Sequence, residues 1–408
     1  MNRNISQLDE CCGCGACVCA CPKQCISLKY DDEGFYKAYI DESRCVNCGI
    51  CMERCPVNKK KSDNSDEFSN EICAYAATSK DNEIYMKSSS GGIFSVIAKK
   101  ILKNNGSVFG CGSNDDLRPI HMEIRNESDL DRIRRSKYVQ SYMGNVYSKI
   151  KERLEQEIDV LFVGTPCQVA GLKKYLGRQY DRLLTVDLVC HGVPSPQMYM
   201  NNIEYVEKTK HKKLKSFEFR LKSQQSKRYF TYTYTYTYTY TYTYTYIDGN
   251  SEVKPYYKDA FYNAFYDMHS LNEICYKCPF CNLNRQGDLT IGDYEWGKQY
   301  HTEFKDDDDI SCILCNTKAG QNVLSEVKDA LKISPTKIEW IIEKNKNLVR
   351  PTVRPVYRDC IYRDIKNMGY EKWADGYFHS LRYYKKTPLF RPVVKLKILL
   401  NKIVGRGY

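Results

Sequence analysis

The feature that most limits what this chain can fold into is a cysteine pattern written twice. Cys11, Cys14, Cys17 and Cys21 precede Pro22, and Cys45, Cys48, Cys51 and Cys55 recur at one constant offset before Pro56. There are 21 cysteines in 408 residues, far more than a reduced protein needs for packing. An odd number of thiols, many of them two residues apart and beside Pro or Gly, is a poor disulfide framework and a good metal framework. The length allows two or three domains, one of them able to bury a substantial core, so a peptide or a disordered tail is excluded.

A cubane iron–sulfur cluster needs four soft thiolates converging from four directions. Three cysteines on one tight loop cover three irons, and a cysteine from elsewhere caps the last. Cys-x2-Cys-x2-Cys-x3-Cys-Pro, present twice, is the run of two-cluster bacterial ferredoxins, in which the fourth cysteine of each copy serves the other cluster. On that logic Cys11, Cys14, Cys17 and Cys55 hold one 4Fe-4S cluster, and Cys45, Cys48, Cys51 and Cys21 hold the second. Gly15 and Gly49 let the backbone bend around sulfide, and the Pro22 and Pro56 rings stop a helix. Zinc is the alternative, but zinc modules give Cys-x2-Cys pairs across a longer span rather than triplets with a trailing Cys-Pro. Cys12, Cys19 and Cys25 fall outside the register and read as small buried hydrophobes, not ligands.

The expected fold class is α+β: a small two-cluster ferredoxin domain over residues 1–60, a polar linker over 61–75, a larger α/β domain over 76–365 and a basic helical tail over 366–408. In the larger domain short apolar runs at Ser107–Gly110, Asp159–Val163, Leu183–Val189 and Leu289–Gly292 read as strands. Helical spacing over Ser90–Lys103, up to Leu176 and over Ser195–Lys208 gives an open α/β sheet. Thr231–Tyr246 is eight Thr-Tyr pairs, and strict alternation sends every Thr to one face and every Tyr to the other. A single strand of that length would reach about 53 Å, so it must fold back, protrude or fray. It reads as an expanded repeat without a catalytic role, the alternative being an aromatic binding ladder.

The formal net charge is +12. Much of it comes from Arg382, Lys385, Lys386, Arg391, Lys395, Lys397, Lys402 and Arg406, a stretch with no acidic residue. The remainder is nearly balanced, so no nucleic-acid surface is implied. Pro392–Ile403 suits a basic amphipathic helix, either on an anionic membrane face or docked on protein. No apolar run approaches a bilayer span and the N-terminus has no signal-like apolar stretch, so a cytoplasmic protein is expected, with peripheral contact at the inner membrane face through the tail. Asp306–Asp309 reads as a run of solvated carboxylates, the alternative being a divalent-cation site, and is left unassigned.

Six motifs then occur in order: Ser88-Ser-Ser-Gly-Gly92, Lys137-Tyr-Val-Gln-Ser141, Gly164-Thr-Pro-Cys-Gln168, Cys190-His-Gly-Val-Pro-Ser195, Cys275-Tyr-Lys-Cys278 and Asp288-Leu-Thr-Ile-Gly-Asp293. Together they resemble the coenzyme F-420 hydrogenase/dehydrogenase beta-subunit family, fused here to an N-terminal ferredoxin, over about Cys11 to residue 365. The resemblance implies an iron–sulfur flavoprotein that binds FAD and exchanges electrons with a hydride-carrying partner, in some members coenzyme F-420 as substrate. It places FAD against Ser90, Gly91 and Gly92, whose helix start can face a pyrophosphate. Gly164, Thr165, Pro166 and Gln168, at the carboxyl end of a parallel strand, form a second contact set, and Lys137, Tyr138 and Gln140 a third. It also implies a third 4Fe-4S cluster on Cys167, Cys190, Cys275 and Cys278. The added Cys281 leaves open a triplet with Cys190 or Cys167, or a structural metal on the triplet with the other two buried. His191 is the one proton-relay candidate, against a plain loop hydrogen bond.

The function so read is an oxidoreductase passing electrons between clusters and FAD, with a deazaflavin or a sugar- or lipid-linked substrate, since ferredoxin-fused members occur in polysaccharide biosynthesis. The alternative is a non-catalytic electron-transfer subunit of a larger redox complex. Either way the partner is a redox protein or a small-molecule electron carrier.

Overall fold

A computed structural model describes residues 4–8, 10–58, 72–220, 222 and 241–377. Most of the expected linker, the first ten residues of the Thr-Tyr repeat and the basic stretch from 378 onward lie outside the described residues, and with them the membrane-facing helix over Pro392–Ile403. Among the described residues no helix is long and apolar enough to cross a membrane.

The two cysteine copies bracket a hairpin of β1 (Ile26–Tyr30) and β2 (Tyr36–Ile40), paired antiparallel. Each copy folds its second and third cysteines around a short helix, Ala16–Ala20 and Ile50–Glu53, entered through Gly15 and Gly49 at φ 79° and 80°. The copies match in a finer detail too. The Gly13 N–H donates to Cys11 Sγ at 3.3 Å and the Asn47 N–H to Cys45 Sγ at 3.4 Å.

The rest of the chain is built on an eight-stranded sheet. Its strands, in chain order, are β3 (Cys73–Ser79), β4 (Ser107–Ser113), β5 (Pro119–Ile124), β6 (Val160–Gly164) and β7 (Leu183–Leu188). A separate three-stranded sheet follows, made of β8 (Leu214–Phe219), β9 (Thr241–Tyr246) and β10 (Ser251–Pro255). The large sheet is completed by β11 (Leu289–Asp293), β12 (Ser311–Cys315) and β13 (Leu331–Thr336), in the order β13-β3-β12-β11-β7-β6-β4-β5. The pairs β4–β6, β6–β7 and β7–β11 are parallel. These strands are the apolar runs that read as buried parallel strands, and helices Ile93–Lys103 and Pro166–Leu176 lie beside them. The flanking strands β5, β12, β3 and β13 all join antiparallel, so the sheet is mixed. The antiparallel flanks left no signal in the apolar runs.

In the Thr-Tyr repeat, Tyr242, Tyr244 and Tyr246 are buried in one aromatic core with Phe217, Phe219 and Tyr262, and β9 is the middle strand of its sheet. Thr241 and Thr243 are buried as well, so both faces are covered. The fold also continues past residue 365, where the tail was expected to start. Helix Tyr370–Tyr377 buries Tyr370, Trp373 and Tyr377 in the same core, and the Tyr370 hydroxyl donates to Asn202 at 2.8 Å. At its other end β3 already starts at Cys73, within the stretch read as linker.

Candidate functional site

All 21 cysteines are free thiols, and twelve of them fall into three groups. Cys14 lies within electrostatic reach of Cys11 and Cys17, and Cys55 within reach of Cys11 and Cys17. Burial together with these neighbours drives the Cys17 thiol far above its ordinary value. Cys21, Cys45, Cys48 and Cys51 line one small cavity, with Cys25 beside Cys21 at 3.4 Å. Cys17 also feels the charge of Cys51, which joins the two groups.

The third group sits at the carboxyl ends of the parallel strands. Cys167 follows β6, Cys190 follows β7, and Cys275 and Cys278 arrive on a later loop. Every pairing among these four is within electrostatic reach. Burial lifts Cys190 to about 12. Cys281 stands against Cys278, whose thiol its hydrogen bond pulls down to about 7, and close to Cys190. Six thiols, those five and Cys12, line a single cavity of about 60 Å³.

Two local devices bring these strands of chain together. Gly192, at φ 113°, lies so close to the later loop that a Cβ there would meet Leu271 at 2.7 Å and the Cys275 Cβ at 2.9 Å, so the Cys-His-Gly order is a steric requirement. The second is a buried ion pair that the sequence did not announce. Arg285, 1% exposed, bonds the fully buried Asp187 of β7 at 3.0 Å. It also donates to the carbonyls of Phe280, Asn282 and Leu188. Asp187 accepts further bonds from Gln286 N–H, Gly287 N–H and Thr290 Oγ1. This clamp fastens the loop carrying Cys275, Cys278 and Cys281 to the strand that ends beside Cys190.

Among the described residues no three His, Cys, Asp or Glu side chains converge tightly enough for a single metal ion. The donor set instead fits a larger soft core. Thiols gathered this closely repel one another once ionised, and a cationic centre that accepts four soft donors relieves that repulsion.

Next to the third group opens a cavity of about 500 Å³, bounded by Gly110, Gly164, Val189 and Gly292 near the carboxyl ends of the four parallel strands. Open α/β sheets place ligands there, and the volume falls within the usual range for a small-molecule site. It is lined by Ser90, Gly92, Lys137, Tyr138, Gly164, Thr165, Gln168 and His191 from the expected set. Three expected contacts go elsewhere. The Gly91 N–H is taken by Ser311 Oγ at 2.9 Å, and Gly91 does not line the cavity. Pro166 opens its helix and faces the thiol cavity instead. Gln140 is a seam residue: its side chain accepts from Tyr36 N–H at 2.7 Å and donates to the carbonyls of Tyr36 and Cys12 at 3.2 Å. Its amide, long enough to span two segments, fixes the ferredoxin hairpin on the larger sheet.

Within the cavity, Lys137 is half-buried, and its desolvation lowers its pKa to about 8. Tyr138 stacks on Phe265 at 4.8 Å. The amide of Gln168 is occupied, accepting from Thr165 N–H and donating to Ser141 Oγ. His191 is pushed down by burial while Asn347 bonds its ring. Residues missed in the sequence include Cys111, Arg134 and His121. The His121 ring bonds Ser141 at 2.8 Å and the Val163 carbonyl at 3.2 Å, and burial lowers its pKa to about 4. At the edge, the half-buried Asp309 lies near Arg220 and Lys222, and Asp307 pairs with Lys332 at 2.8 Å. That part of the aspartate run is ion-paired rather than merely solvated.

Such a fold and donor set define an iron–sulfur redox protein. The family model "4Fe-4S dicluster domain" matches residues 10–59, and the model for the C terminus of the coenzyme F420 hydrogenase/dehydrogenase beta subunit matches residues 158–339. The chain carries both domains joined in that order, as the motifs implied, although Ser88–Gly92 and Lys137–Ser141 precede the second match. A subunit of the F420H2 dehydrogenase of Methanosarcina mazei is 27% identical over 197 residues, 46% of this chain and 54% of that protein. The chain thus matches about half the length of that relative. A ferredoxin of Methanocaldococcus jannaschii is 38% identical over 72 residues, 15% of this chain and 92% of its own length. A chain of the F420-reducing [NiFe] hydrogenase complex from Methanosarcina barkeri aligns over 79% of this chain and 99% of its own, at 16% identity and a TM-score of 0.44.

Proposed function

We propose that the protein is an iron–sulfur electron-transfer subunit of a larger redox complex of the F420 hydrogenase/dehydrogenase kind, the alternative reading of the sequence. The observation that carries it is a continuous line of thiol groups. It runs from Cys21, Cys45, Cys48 and Cys51 to Cys11, Cys14, Cys17 and Cys55, then through Cys12 to Cys167, Cys190, Cys275 and Cys278, and ends at the large cavity. The twelve other than Cys12 would hold three 4Fe-4S clusters, which carry electrons singly at potentials set by hydrogen bonds and exposure. Cys48 is exposed whereas Cys14 and Cys17 are buried, so the second group is the end open to a protein partner.

A flavin in the large cavity is the second reading. Supporting it are the start of helix Ile93–Lys103 and the side chains of Arg134, Arg135 and Lys137, all of which line that cavity. A helix start and basic groups attract a pyrophosphate. The residues present would orient an isoalloxazine by stacking on Tyr138, and the half-buried Lys137 would supply a positive charge.

Anaerobic purification followed by iron, sulfide and flavin analysis tests both. About twelve irons per chain are expected for three clusters, at four each. Zinc without acid-labile sulfide would end the redox reading. Full iron content without bound or bindable flavin would leave the electron-transfer reading and end the flavin one.

A further inference from the structure

Asn272 immediately precedes the short helix Glu273–Lys277, where an asparagine side chain ordinarily caps by accepting a backbone N–H of the first turn. Here it makes no such bond. The Cys275 N–H goes instead to the Asn272 backbone carbonyl at 2.8 Å. The residue is 2% exposed, and its Nδ2 has no hydrogen-bond partner on the protein. A buried amide donor left unpaired is costly, and folded proteins rarely carry one.

The place of Asn272 in the fold points to what it pairs with. It lines the same cavity as Cys167, Cys190, Cys275 and Cys278. The other side-chain nitrogens around that cavity are committed to protein. Gln140 donates to the Tyr36 and Cys12 carbonyls, Gln168 to Ser141 Oγ, Asn347 to Thr352 Oγ1 at 3.0 Å, and Arg285 to Thr290, Phe280 and Asp187. Among the described residues lining the cavity, Asn272 thus carries the one buried side-chain nitrogen without a protein acceptor. Its backbone is pinned as well: the Asn272 N–H donates to the Val193 carbonyl at 2.9 Å, and Leu271 bridges Pro194. The amide therefore sits where the loop after Cys190 is fastened to the loop that carries Cys275.

We propose that Asn272 is a hydrogen-bond donor to the third cluster, its side-chain amide bonding a sulfur of that cluster and holding the centre at a higher potential than its thiolates alone would give. This rests on the three-cluster reading above. An amide N–H is a fixed donor that keeps its proton across the working pH range. Hydrogen bonds to cluster sulfur set the potential, and a donor stabilises the more negative, reduced state over the oxidised one. Removing the donor therefore moves the midpoint of that cluster downward and leaves the two N-terminal clusters as they were.

The test uses the full chain, purified anaerobically, as wild type, Asn272→Leu and Asn272→Asp. Both replacements approximate the shape of the amide and remove its donors, and Asp keeps an oxygen able to cap the helix. The measurements are iron content and potentiometric EPR titration at pH 8, the third cluster being assigned as the signal missing from Cys278→Ala. All but Cys278→Ala are expected to hold about twelve irons per chain. In Asn272→Leu the midpoint of the third cluster shifts negative by about 59 mV, a tenfold change in a one-electron equilibrium, and in Asn272→Asp the added negative charge carries it further. An unchanged midpoint in either variant with full iron would overturn the proposal. Equal shifts at all three clusters would overturn it too, since they mark a general loosening. So would loss of about four irons in both variants, which would make Asn272 a structural part of the loop. A wild-type chain with only about eight irons would instead defeat the three-cluster reading, a result distinct from these.

Discussion

Replacing Arg285 with Met tests whether the third thiol group depends on the clamp behind it. Met approximates the length of the side chain and removes its charge, leaving the Asp187 carboxylate at 0% exposure without its ionic partner. Breaking a buried pair from one side costs about 3–5 kcal/mol. Asp187 keeps three donors, Gln286 N–H, Gly287 N–H and Thr290 Oγ1, at 2.9, 3.0 and 2.6 Å. That places the cost near the lower end, about 3 kcal/mol. With an unfolding entropy of about 2.1 cal/mol/K per residue, this chain should lose roughly 3–4 °C in Tm if it unfolds as one unit. The same change frees the loop that carries Cys275 and Cys278, because the Phe280 and Asn282 carbonyls lose their donor. Anaerobic calorimetry with iron analysis should therefore show a lowered Tm and a loss of about four irons per chain. The double variant Asp187→Asn with Arg285→Met, which leaves no unpaired charge, should unfold at a higher temperature than Arg285→Met alone. An Arg285→Met protein with wild-type Tm and full iron would refute the clamp.

Three further outcomes are expected. The folded His121 imidazole takes a proton only near pH 4 because it is buried, whereas unfolded histidine does so near about 6.5; the unfolded state therefore binds the proton first and stability falls as pH drops from about 6.5 to 4. His121→Gln should remove that component of the acid loss in urea titrations, and an unchanged pH profile would count against a buried neutral ring. Burial holds Lys137 to about 8, so FAD affinity, followed by fluorescence quenching, should weaken as pH rises through that value, and Lys137→Met should flatten the dependence. Gly171→Ala puts a Cβ 2.9 Å from Cys14 Sγ and 3.0 Å from the Tyr147 hydroxyl, at a cost of about 1–3 kcal/mol for overpacking; denaturation midpoints and the EPR line shape of the inner N-terminal cluster should both move.

What the sequence disclosed and what it hid follow from how far along the chain each constraint reaches. The two cysteine registers are legible because three ligands of each cluster lie on one loop, and loop geometry fixes their spacing. The parallel strands are legible because burial on both faces writes a continuous apolar run. Cys167, Cys190, Cys275 and Cys278 are different. They meet only because β6 and β7 lie side by side in the sheet and Asp187 anchors a loop at Gln286, 99 residues downstream, and spacing alone cannot encode that meeting; motif order carried it. Arg285 in sequence looks like any solvated arginine, since its burial is set by a partner distant in the chain. The same holds for Gln140, read as a flavin contact until its partners proved to be Tyr36 and Cys12. The helix Tyr370–Tyr377 was hidden by the basic stretch that follows it, although its aromatic residues are the ones that fill the core.

The cysteine repeat itself presents two equal copies, and place in the fold makes them unequal. In the first, Gly171 and Gln140 press the larger sheet against Cys14 and Cys12. In the second, Cys48 and Val46 face solvent. Reduction potential depends on exposure and on hydrogen bonds to sulfur, so identical ligand sets in these two settings cannot share one potential. The shared cysteine spacing of the copies thus conceals a gradient that the docking creates. The copies also differ between their shared cysteines, and Cys12 of the docked copy stands where the other has the exposed Val46.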